Sequence, residues 1–158
     1  MSDAAGVRRG LSRDLDAITA LWLALTEHHA RRDPLFALRA GADSEARRLL
    51  EAQLRDPAVV FFVHAEGAML DGLCIVRADR APPIHTETAR AEITDLYVSP
   101  GRRRRGIAGA LLAQALAWTR ARGIERIEAR VSSQNPEGQA FWRAVGFGDF
   151  MDVLHRRL

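Results

Sequence analysis

The sequence predicts a mixed α/β fold built around one central sheet. Two observations predict it: the hydrophobic period changes from helical to alternating after Asp56-Pro57, and residues 91–131 then follow the order strand, helix, strand. Such a crossover places its two strands parallel in one sheet with a right-handed connection. At 158 residues, 47% of them hydrophobic and 27% charged, the chain is expected to form a single domain over residues 1–158.

The first part of the chain predicts one short strand and two helices. The strand lies around residues 6–9, and either Ser12 or Asp14 can cap the first helix. Apolar side chains recur at helical spacing until the helix ends before Asp33-Pro34; they are Ile18, Leu21, Trp22 and Leu25. A second helix is predicted over residues 44–54.

The middle of the chain predicts an antiparallel hairpin. Residues 58–65 are rich in β-branched and aromatic side chains, Glu66-Gly67 forms a turn, and residues 69–77 form the second strand. Residues 79–88, with Pro82-Pro83, form a loop that leads to a third strand.

The crossover follows this loop. It consists of a strand over Ala91–Val98, a long helix over Arg105–Arg122 that ends at Gly123, and a strand over Ile124–Val131. A helix over residues 136–145 has proline in its first turn. Residues 147–158 are predicted to form a final strand or strand pair.

Composition and charge argue against several classes of function. All 23 basic residues are arginine, but the net charge of +3 is too small for the dense basic face of a nucleic-acid-binding protein. No signal peptide and no apolar run near the roughly 20 residues of a membrane span are found. We therefore expect a cytoplasmic protein without nucleic-acid or membrane partners.

The metal-ligating and nucleophilic side chains form no recognisable site in the sequence. Cys74, the single cysteine, lies in the apolar run GLCIV and is expected to be a buried structural thiol. His28 and His29 are adjacent and cannot face one metal from one side of a helix, so they are interpreted as a solvated helix end. No metal site is predicted.

The connection after Val98 predicts an anion site. It contains Arg102–Arg105 and then Gly106-Ile107-Ala108-Gly109, where a helix begins. The first N–H groups of a helix lack intrahelical acceptors and carry the positive end of its dipole, so an anion placed there meets both donors and favourable potential. The small residues allow close approach, and the four guanidinium groups suit phosphate oxygens. A solvated basic turn that caps the helix is the alternative.

Two motifs in this half of the chain resemble the GNAT superfamily of N-acetyltransferases. The segment VSPGRRRRGIA resembles the acetyl-CoA loop of that family: Arg or Gln, any two residues, Gly, any residue, then Gly or Ala. Arg103, Gly106 and Ala108 fill this pattern. Asn135, followed by Trp142 and Gly146-Phe147, resembles the second signature, and together the motifs cover most of residues 91–147.

The resemblance implies a GNAT-type fold and an acetyl-CoA cosubstrate. The sheet would be mixed, mostly antiparallel, flanked by about four helices, and splayed between the parallel strands 91–98 and 124–131. The pantetheine arm would pair with backbone groups of residues 96–98, and the pyrophosphate would lie on the amides of residues 104–109. The implied cofactor-binding residues are Leu96, Tyr97, Val98, Arg103, Arg104, Arg105, Gly106, Ile107, Ala108, Gly109, Asn135 and Trp142.

The implied reaction is direct attack of a primary amine on the thioester. An alkyl ammonium with a pKa of about 10.4 is charged at pH 7, so a group must accept its proton. Glu92, six residues before Val98, is the first candidate because some members carry a glutamate there that acts through water; an exposed strand-edge glutamate is the alternative. Asp95 is the runner-up, and it shares a face with Glu92 only if a bulge interrupts the strand.

The leaving thiolate lacks an obvious acid. Trp142 stands where many members have tyrosine, and an indole N–H donates a hydrogen bond but no proton at neutral pH. Departure of the thiolate is then aided by Tyr97, Ser132, Ser133 or water, while a backbone N–H near residues 96–98 serves as oxyanion donor. Because of Trp142, a non-catalytic acyl-CoA-binding module is the alternative function.

The acceptor is left open by the sequence. The resemblance places its pocket at about residues 22–40 and 148–155, and the amine belongs to a small molecule, an amino-acid derivative, an antibiotic, or a protein N-terminus or lysine. Relatives frequently dimerise, so a homodimer is a further expectation.

Overall fold

The computed structural model describes residues 6–158 and shows the expected mixture of helices and strands. The strands are β1 (Gly6–Arg9), β2 (Val59–Glu66), β3 (Met69–Arg80), β4 (Ala89–Val98) and β5 (Ile127–Ala129). The helices are α1 (Leu15–Ala30), α2 (Ala42–Arg55), α3 (Ile107–Ala121) and α4 (Pro136–Ala144). Within the described range, no helix combines the length and apolar character required to cross a membrane.

The five strands form one sheet in the order β1-β2-β3-β4-β5. All neighbours are antiparallel except β4 and β5, which are parallel and pair only over residues 91–93 and 127–129. Beyond Ile93, β4 continues to Val98 while β5 ends at Ala129. The predicted splay between these two strands is therefore confirmed.

Alternation along the strands creates a core on each side of the sheet. Phe62, Cys74 and Val76 face α3, whereas Phe61 and Ile75 face α1 and α2. Burial of such a side chain contributes about 1.5–3 kcal/mol. Cys74 is fully buried, and this burial raises the pKa of its thiol far above the usual range, which confirms the prediction of a structural cysteine.

A bulge at Thr94 changes the parity of β4. The ladder with β3 pairs Ile75 with Asp95 and Val76 with Ile93, so Thr94 has no partner of its own. Ala91, Ile93, Leu96 and Val98 consequently pack toward α3, while Tyr97 packs in the α1 core. Glu92 and Asp95 therefore share the α1 face, the arrangement that a bulge was expected to create.

The C-terminal segment differs from the prediction. Residues 147–158 contain no strand, and β5 is much shorter than the predicted range 124–131. The apolar residues of the segment do not alternate strictly, so a strand would not bring them to one face. A three-residue β5 also offers only a short ladder to pair with. Several of these side chains are exposed: Phe150, Met151, Val153, Leu154 and Leu158.

Candidate active site

The N-terminus of α3 presents open backbone donors. Gly106 is the N-cap residue with φ +78°, and the helical ladder starts with the bond from Ala110 N to Gly106 O at 3.0 Å. The N–H groups of residues 107–109 therefore precede the ladder, and no side chain caps them. A Cβ atom added at Gly106 or Gly109 would meet no atom within 4 Å. The backbone N–H groups of this helix start are thus left without a side-chain cap, and the two glycines leave room beside them, which is what binding of a phosphate group requires.

A strained turn precedes these open N–H groups of residues 107–109, which we call the cradle. Arg104 has φ +64°, the one positive value for a non-glycine residue in the described chain. For a residue with a Cβ this conformation costs about 1–2 kcal/mol. The side chains of Arg104 and Arg105 are exposed beside the open amides. Backbone strain of this kind concentrates at ligand sites, which agrees with the predicted phosphate role of the turn.

The first two arginines of the run face the protein instead. Arg102 Nε donates to Asp71 Oδ2 at 2.6 Å, and its guanidinium also pairs with Glu66. The expectation that all four guanidinium groups are available for phosphate oxygens is therefore wrong for Arg102. Arg103 Nε donates to the Val98 carbonyl at 3.0 Å, and its guanidinium lies 5.9 Å from the Tyr97 ring centroid. The cofactor contact of Arg103 stays a prediction.

Asp71 fixes the loop in front of α3 by three contacts. Its side chain is 4% exposed, receives the Arg102 bond on one oxygen, and lies 2.5 Å from His64 Nδ1 through the other. Its carbonyl accepts a bond from Ser99 N at 2.9 Å. Sequence reasoning missed this residue, although an aspartate inside the apolar strand MLDGLCIV was a signal of a buried ionic contact.

Gly72, the next residue, brings α3 close to the sheet. A Cβ atom there would lie 3.0 Å from Ile107 Cγ2 and from Leu111 Cδ1. Since those contacts are too short for carbon atoms, the first turn of α3 packs directly on the glycine backbone. Asp71 thus anchors the loop before α3, and Gly72 allows the start of α3 to pack closely on β3.

The splayed part of β4 offers the backbone that was predicted to pair with pantetheine. Tyr97 and Val98 are each 8% exposed and pack into opposite cores, so these side chains lie away from the open edge. Leu96 is half-buried on the α3 side. The Tyr97 hydroxyl role in catalysis stays a prediction.

Glu92 lies between two arginines. Its side chain is 12% exposed, Arg77 Nη2 donates to Oε2 at 3.3 Å, and Arg130 Nε lies 3.2 Å from Oε1. The alternative of an exposed strand-edge glutamate is therefore wrong. The carboxylate faces the α1 side of the sheet, beside the point where β4 and β5 diverge.

Asp95 lies on the same face and differs in its partners. Burial raises the pKa of its carboxyl, while hydrogen bonds from Thr94 and Trp22 and the nearby His29 partly oppose this shift. The negative charge of Glu92 raises the pKa of Asp95 further. Thr94 Oγ1 donates to Oδ2 at 2.7 Å. A carboxyl with a raised pKa is a better proton acceptor than an ordinary one.

The two adjacent histidines approach this site from the end of α1. His28 and His29 are half-buried, and the His29 ring lies 5.3 Å from that of Phe36, so the interpretation as a solvated helix end is wrong. Burial lowers the pKa of both, and Arg32 lowers it further. His29 Nδ1 is buried and has no hydrogen-bond partner within residues 6–158. Both imidazoles are therefore neutral near pH 7.

Asn135 and Trp142 have structural partners. Asn135 is 9% exposed, and its Oδ1 accepts a bond from Gly138 N at 3.1 Å, which caps α4. The Trp142 ring packs edge-to-face on Phe141 and Phe147, with centroids 5.2 and 4.8 Å apart. These contacts anchor α4 on the α3-side core, and the roles of both residues toward a cofactor stay predictions.

Comparison with known proteins assigns the chain to a family. The Acetyltransferase (GNAT) family matches residues 19–147. A mycothiol acetyltransferase of Beutenbergia cavernae is 35% identical over 92 residues, which are 58% of this chain and 29% of that protein. The matched part is thus less than a third of that relative's length.

Solved structures share the fold. A predicted acetyltransferase of Clostridium acetobutylicum, solved with acetyl-CoA, has a TM-score of 0.78 at 19% identity, with 98% of this chain and 96% of that chain covered. An aminoglycoside N-acetyltransferase solved with CoA also has a TM-score of 0.78, at 17% identity, with 98% and 95% covered. The sheet, the splay and the family match lead to one conclusion: the chain belongs to the GNAT family of acetyltransferases.

Proposed function

We propose that this chain transfers the acetyl group of acetyl-CoA to a primary amine by direct attack of the amine on the thioester. One observation carries the proposal: the open amides of α3 and the open edge of β4 begin at the same end of the sheet. Between them they provide donors for a diphosphate and backbone groups for an extended arm. The names of the relatives, an aminoglycoside N-acetyltransferase and a mycothiol acetyltransferase, support acetyl transfer.

The cosubstrate would be held largely by backbone groups. The amides of residues 104–109 would bind the diphosphate, with Arg103, Arg104 and Arg105 adding positive charge. The pantetheine arm would lie along residues 96–98, with Asn135 and Trp142 on the α4 side. Backbone donors fixed by the fold need no reorganisation when the ligand arrives, which favours tight binding.

The proton of the attacking amine would go to Asp95. Burial raises the pKa of Asp95 above its ordinary value, which favours proton acceptance, and Thr94 holds the carboxyl in place. Glu92, the first candidate from the sequence, would act as a fixed negative charge, because both of its oxygens face guanidinium groups. A water molecule between amine and carboxylate satisfies the same scheme.

The thioester carbonyl and the leaving thiolate need separate support. A backbone N–H of residues 96–98 would stabilise the oxyanion, an effect worth about 3 kcal/mol per donor in other enzymes. A thiol with a pKa of about 8.5 leaves as thiolate without a strong acid. Tyr97, Ser132, Ser133 or water would assist its departure, since Trp142 packs in the aromatic cluster of α4.

Calorimetry with acetyl-CoA and release of CoA thiol against an amine panel test this function. Gly109→Glu places a carboxylate in the open space before the amides and is expected to abolish acetyl-CoA binding. Ala113→Glu, one turn later on the same exposed face of α3, is the matched control and should bind normally. Absence of binding in the unaltered protein would overturn the proposal. Binding without amine-dependent thiol release would favour the non-catalytic module.

We propose on the same basis that residues 1–158 act as one catalytic domain in the cytoplasm, without nucleic-acid or membrane partners. A homodimer is proposed as well, supported by the exposed apolar side chains of residues 150–158. Sedimentation of the purified chain tests it: a monomer at micromolar concentration would contradict the dimer.

A further inference from the structure

The acceptor side of the site is rich in arginine. Arg77 of β3 is in register with Glu92 of β4, and Glu92 is in register with Glu128 of β5, so the three share one face of the sheet. Arg90 and Arg126 both contact Glu128, at 3.6 and 2.6 Å. Each glutamate on this face is therefore shared by two guanidinium groups, since Arg77 and Arg130 both contact Glu92.

The two arginines at Glu92 keep unused binding capacity. A guanidinium carries five N–H donors in a planar fork, and one carboxylate cannot satisfy two such forks. Each arginine approaches Glu92 through a single nitrogen at 3.2–3.3 Å rather than by a bidentate pair. The side chains of Arg77 and Arg130 are 49% and 74% exposed, so a ligand can reach them. Because both guanidinium groups are half-exposed or more, solvent weakens their attraction to Glu92, so stability alone gives no reason for the second arginine.

Two carboxylates of this face, Asp95 and Glu92, have different surroundings. Asp95, which would receive the amine proton, lies beyond Glu92 on the same face of β4. Because of the bulge at Thr94 the two residues pair with Ile75 and Arg77, which are two positions apart on β3, so their separation along the strand is roughly 7 Å. Asp95 has a hydroxyl and an imidazole nearby, whereas Glu92 is flanked by guanidinium groups. A ligand that spans both sites meets a proton acceptor at one end and surplus positive charge at the other.

We propose that the acceptor is an amine carrying a carboxylate several bonds away, as in a dipeptide, with the carboxylate held by Arg130 and Arg77. This inference rests on the proposed acetyl transfer and specifies its substrate class. A polycationic acceptor would place its second positive charge against the same arginines, which like-charge repulsion disfavours. The separation also disfavours an α-amino acid, whose amine and carboxylate are too close together to reach both ends.

Matched amine pairs test the inference. Glycylglycine and γ-aminobutyrate are each compared with their amide-capped forms, and a linear polyamine is added as the polycation. The carboxylates are expected to have KM values roughly ten- to hundredfold lower than their amides. Arg130→Gln should reduce this difference by raising the KM of the carboxylates, because Arg77 alone would then hold them. The KM for acetyl-CoA should stay unchanged, and the KM for the polyamine should fall.

Arg143→Gln is the control, because Arg143 is an exposed arginine of α4 that forms an ion pair with Asp149. It should behave like the unaltered protein toward every amine. If amines are acetylated with equal KM values for carboxylates and amides, or if Arg130→Gln changes nothing, the acceptor class is wrong and acetyl transfer stands. If no amine is acetylated although acetyl-CoA binds, both the acceptor class and the proposed transfer fall.

Discussion

The proposed cofactor end and the proposed acceptor end of the site are held together in different ways. At the cofactor end, the buried Asp71 connects His64, Arg102 and the backbone of Ser99 through contacts of 2.5–2.9 Å. At the acceptor end, Glu92 has two longer contacts to arginines that are half-exposed or more. One region is fixed by buried charge, and the other can exchange its partners with solvent or ligand.

The difference corresponds to what each end has to bind. A diphosphate and an extended arm are the same in every turnover, so a preorganised cradle binds them at low entropic cost. An acceptor binds where ion pairs can open and its charged groups can replace existing contacts. Charged side chains that are already desolvated and paired, as around Asp71, cannot be exchanged in this way without a large penalty.

The largest effect is expected from Asp95→Asn, at the proposed proton acceptor. Loss of the proton acceptor should lower kcat/KM by about 10²–10⁴-fold. The same change should raise the free energy of unfolding at pH 7. A carboxyl whose pKa is raised on folding destabilises the folded state once pH exceeds its ordinary value, and the full penalty is present above the raised pKa. Steady-state kinetics and thermal unfolding of the same preparation measure both effects.

Thr94→Val is expected to have a smaller effect on the same carboxyl. It removes a hydrogen bond that lowers the pKa of Asp95, so the acidic limb of the pH–rate profile should move to higher pH with less than a tenfold loss at pH 8. Full activity of Asp95→Asn would exclude Asp95 as the base. In that event Glu92→Gln should produce the loss instead.

The next largest effect is expected at the cofactor end, from Asp71→Asn. Removing one charge of a buried ionic cluster leaves Arg102 without its main partner, so the free energy of unfolding should fall by about 3–5 kcal/mol. The KM for acetyl-CoA should rise because the loop before α3 loses its anchor. Denaturant unfolding and acetyl-CoA titration measure the two changes.

A double-mutant cycle with Arg102→Gln identifies the contact responsible. If Asp71 acts through Arg102, the double variant should lose clearly less stability than the sum of the single variants. Additive losses would mean that Asp71 stabilises the fold through His64 alone, and the two ends of the site would then be less different than described above.

The smallest effect is expected from Gly106→Ala, with Gly41→Ala as its matched control. The two glycines have φ +78° and +75°, each lies at the N-cap of a helix, and an added Cβ contacts nothing at either position. Each alanine should cost about 1–2 kcal/mol of stability through the left-handed backbone. Only Gly106→Ala should also raise the KM for acetyl-CoA, and equal KM values for both variants would place the phosphate elsewhere.

Local signals in the sequence predicted the elements and the cofactor loop. The strand before Val98, the glycine at 106 and the amphipathic α3 depend on residues close in the chain, and all appear in the structure. The sequence could not show whether β4 contains a bulge, because a bulge depends on how the strand pairs with its neighbour. Sequence alone also left the direction of Arg102 undetermined, since it is identical to its three neighbours and only the distant Asp71 distinguishes it.

The C-terminal segment also shows that structure which depends on distant partners cannot be predicted from local sequence. Its apolar composition favours a strand, but strand formation requires a partner edge, and β5 provides one of only three residues. The pairing of Glu92 with Arg77 and Arg130 likewise depends on the register of three strands. In the proposed site such long-range contacts would decide the acceptor chemistry, which is why motifs identified the family and left the acceptor open.

The burial of the single cysteine has a practical consequence at the bench. Because Cys74 lies fully inside the sheet core, a thiol-reactive dye in the assay would colour only the free CoA that turnover releases. When the protein is denatured, the same dye gains access to one sulfhydryl per chain. Under the proposed acetyl transfer, a single reagent would therefore count turnovers in the folded protein and, with heat or urea, follow the rate of unfolding.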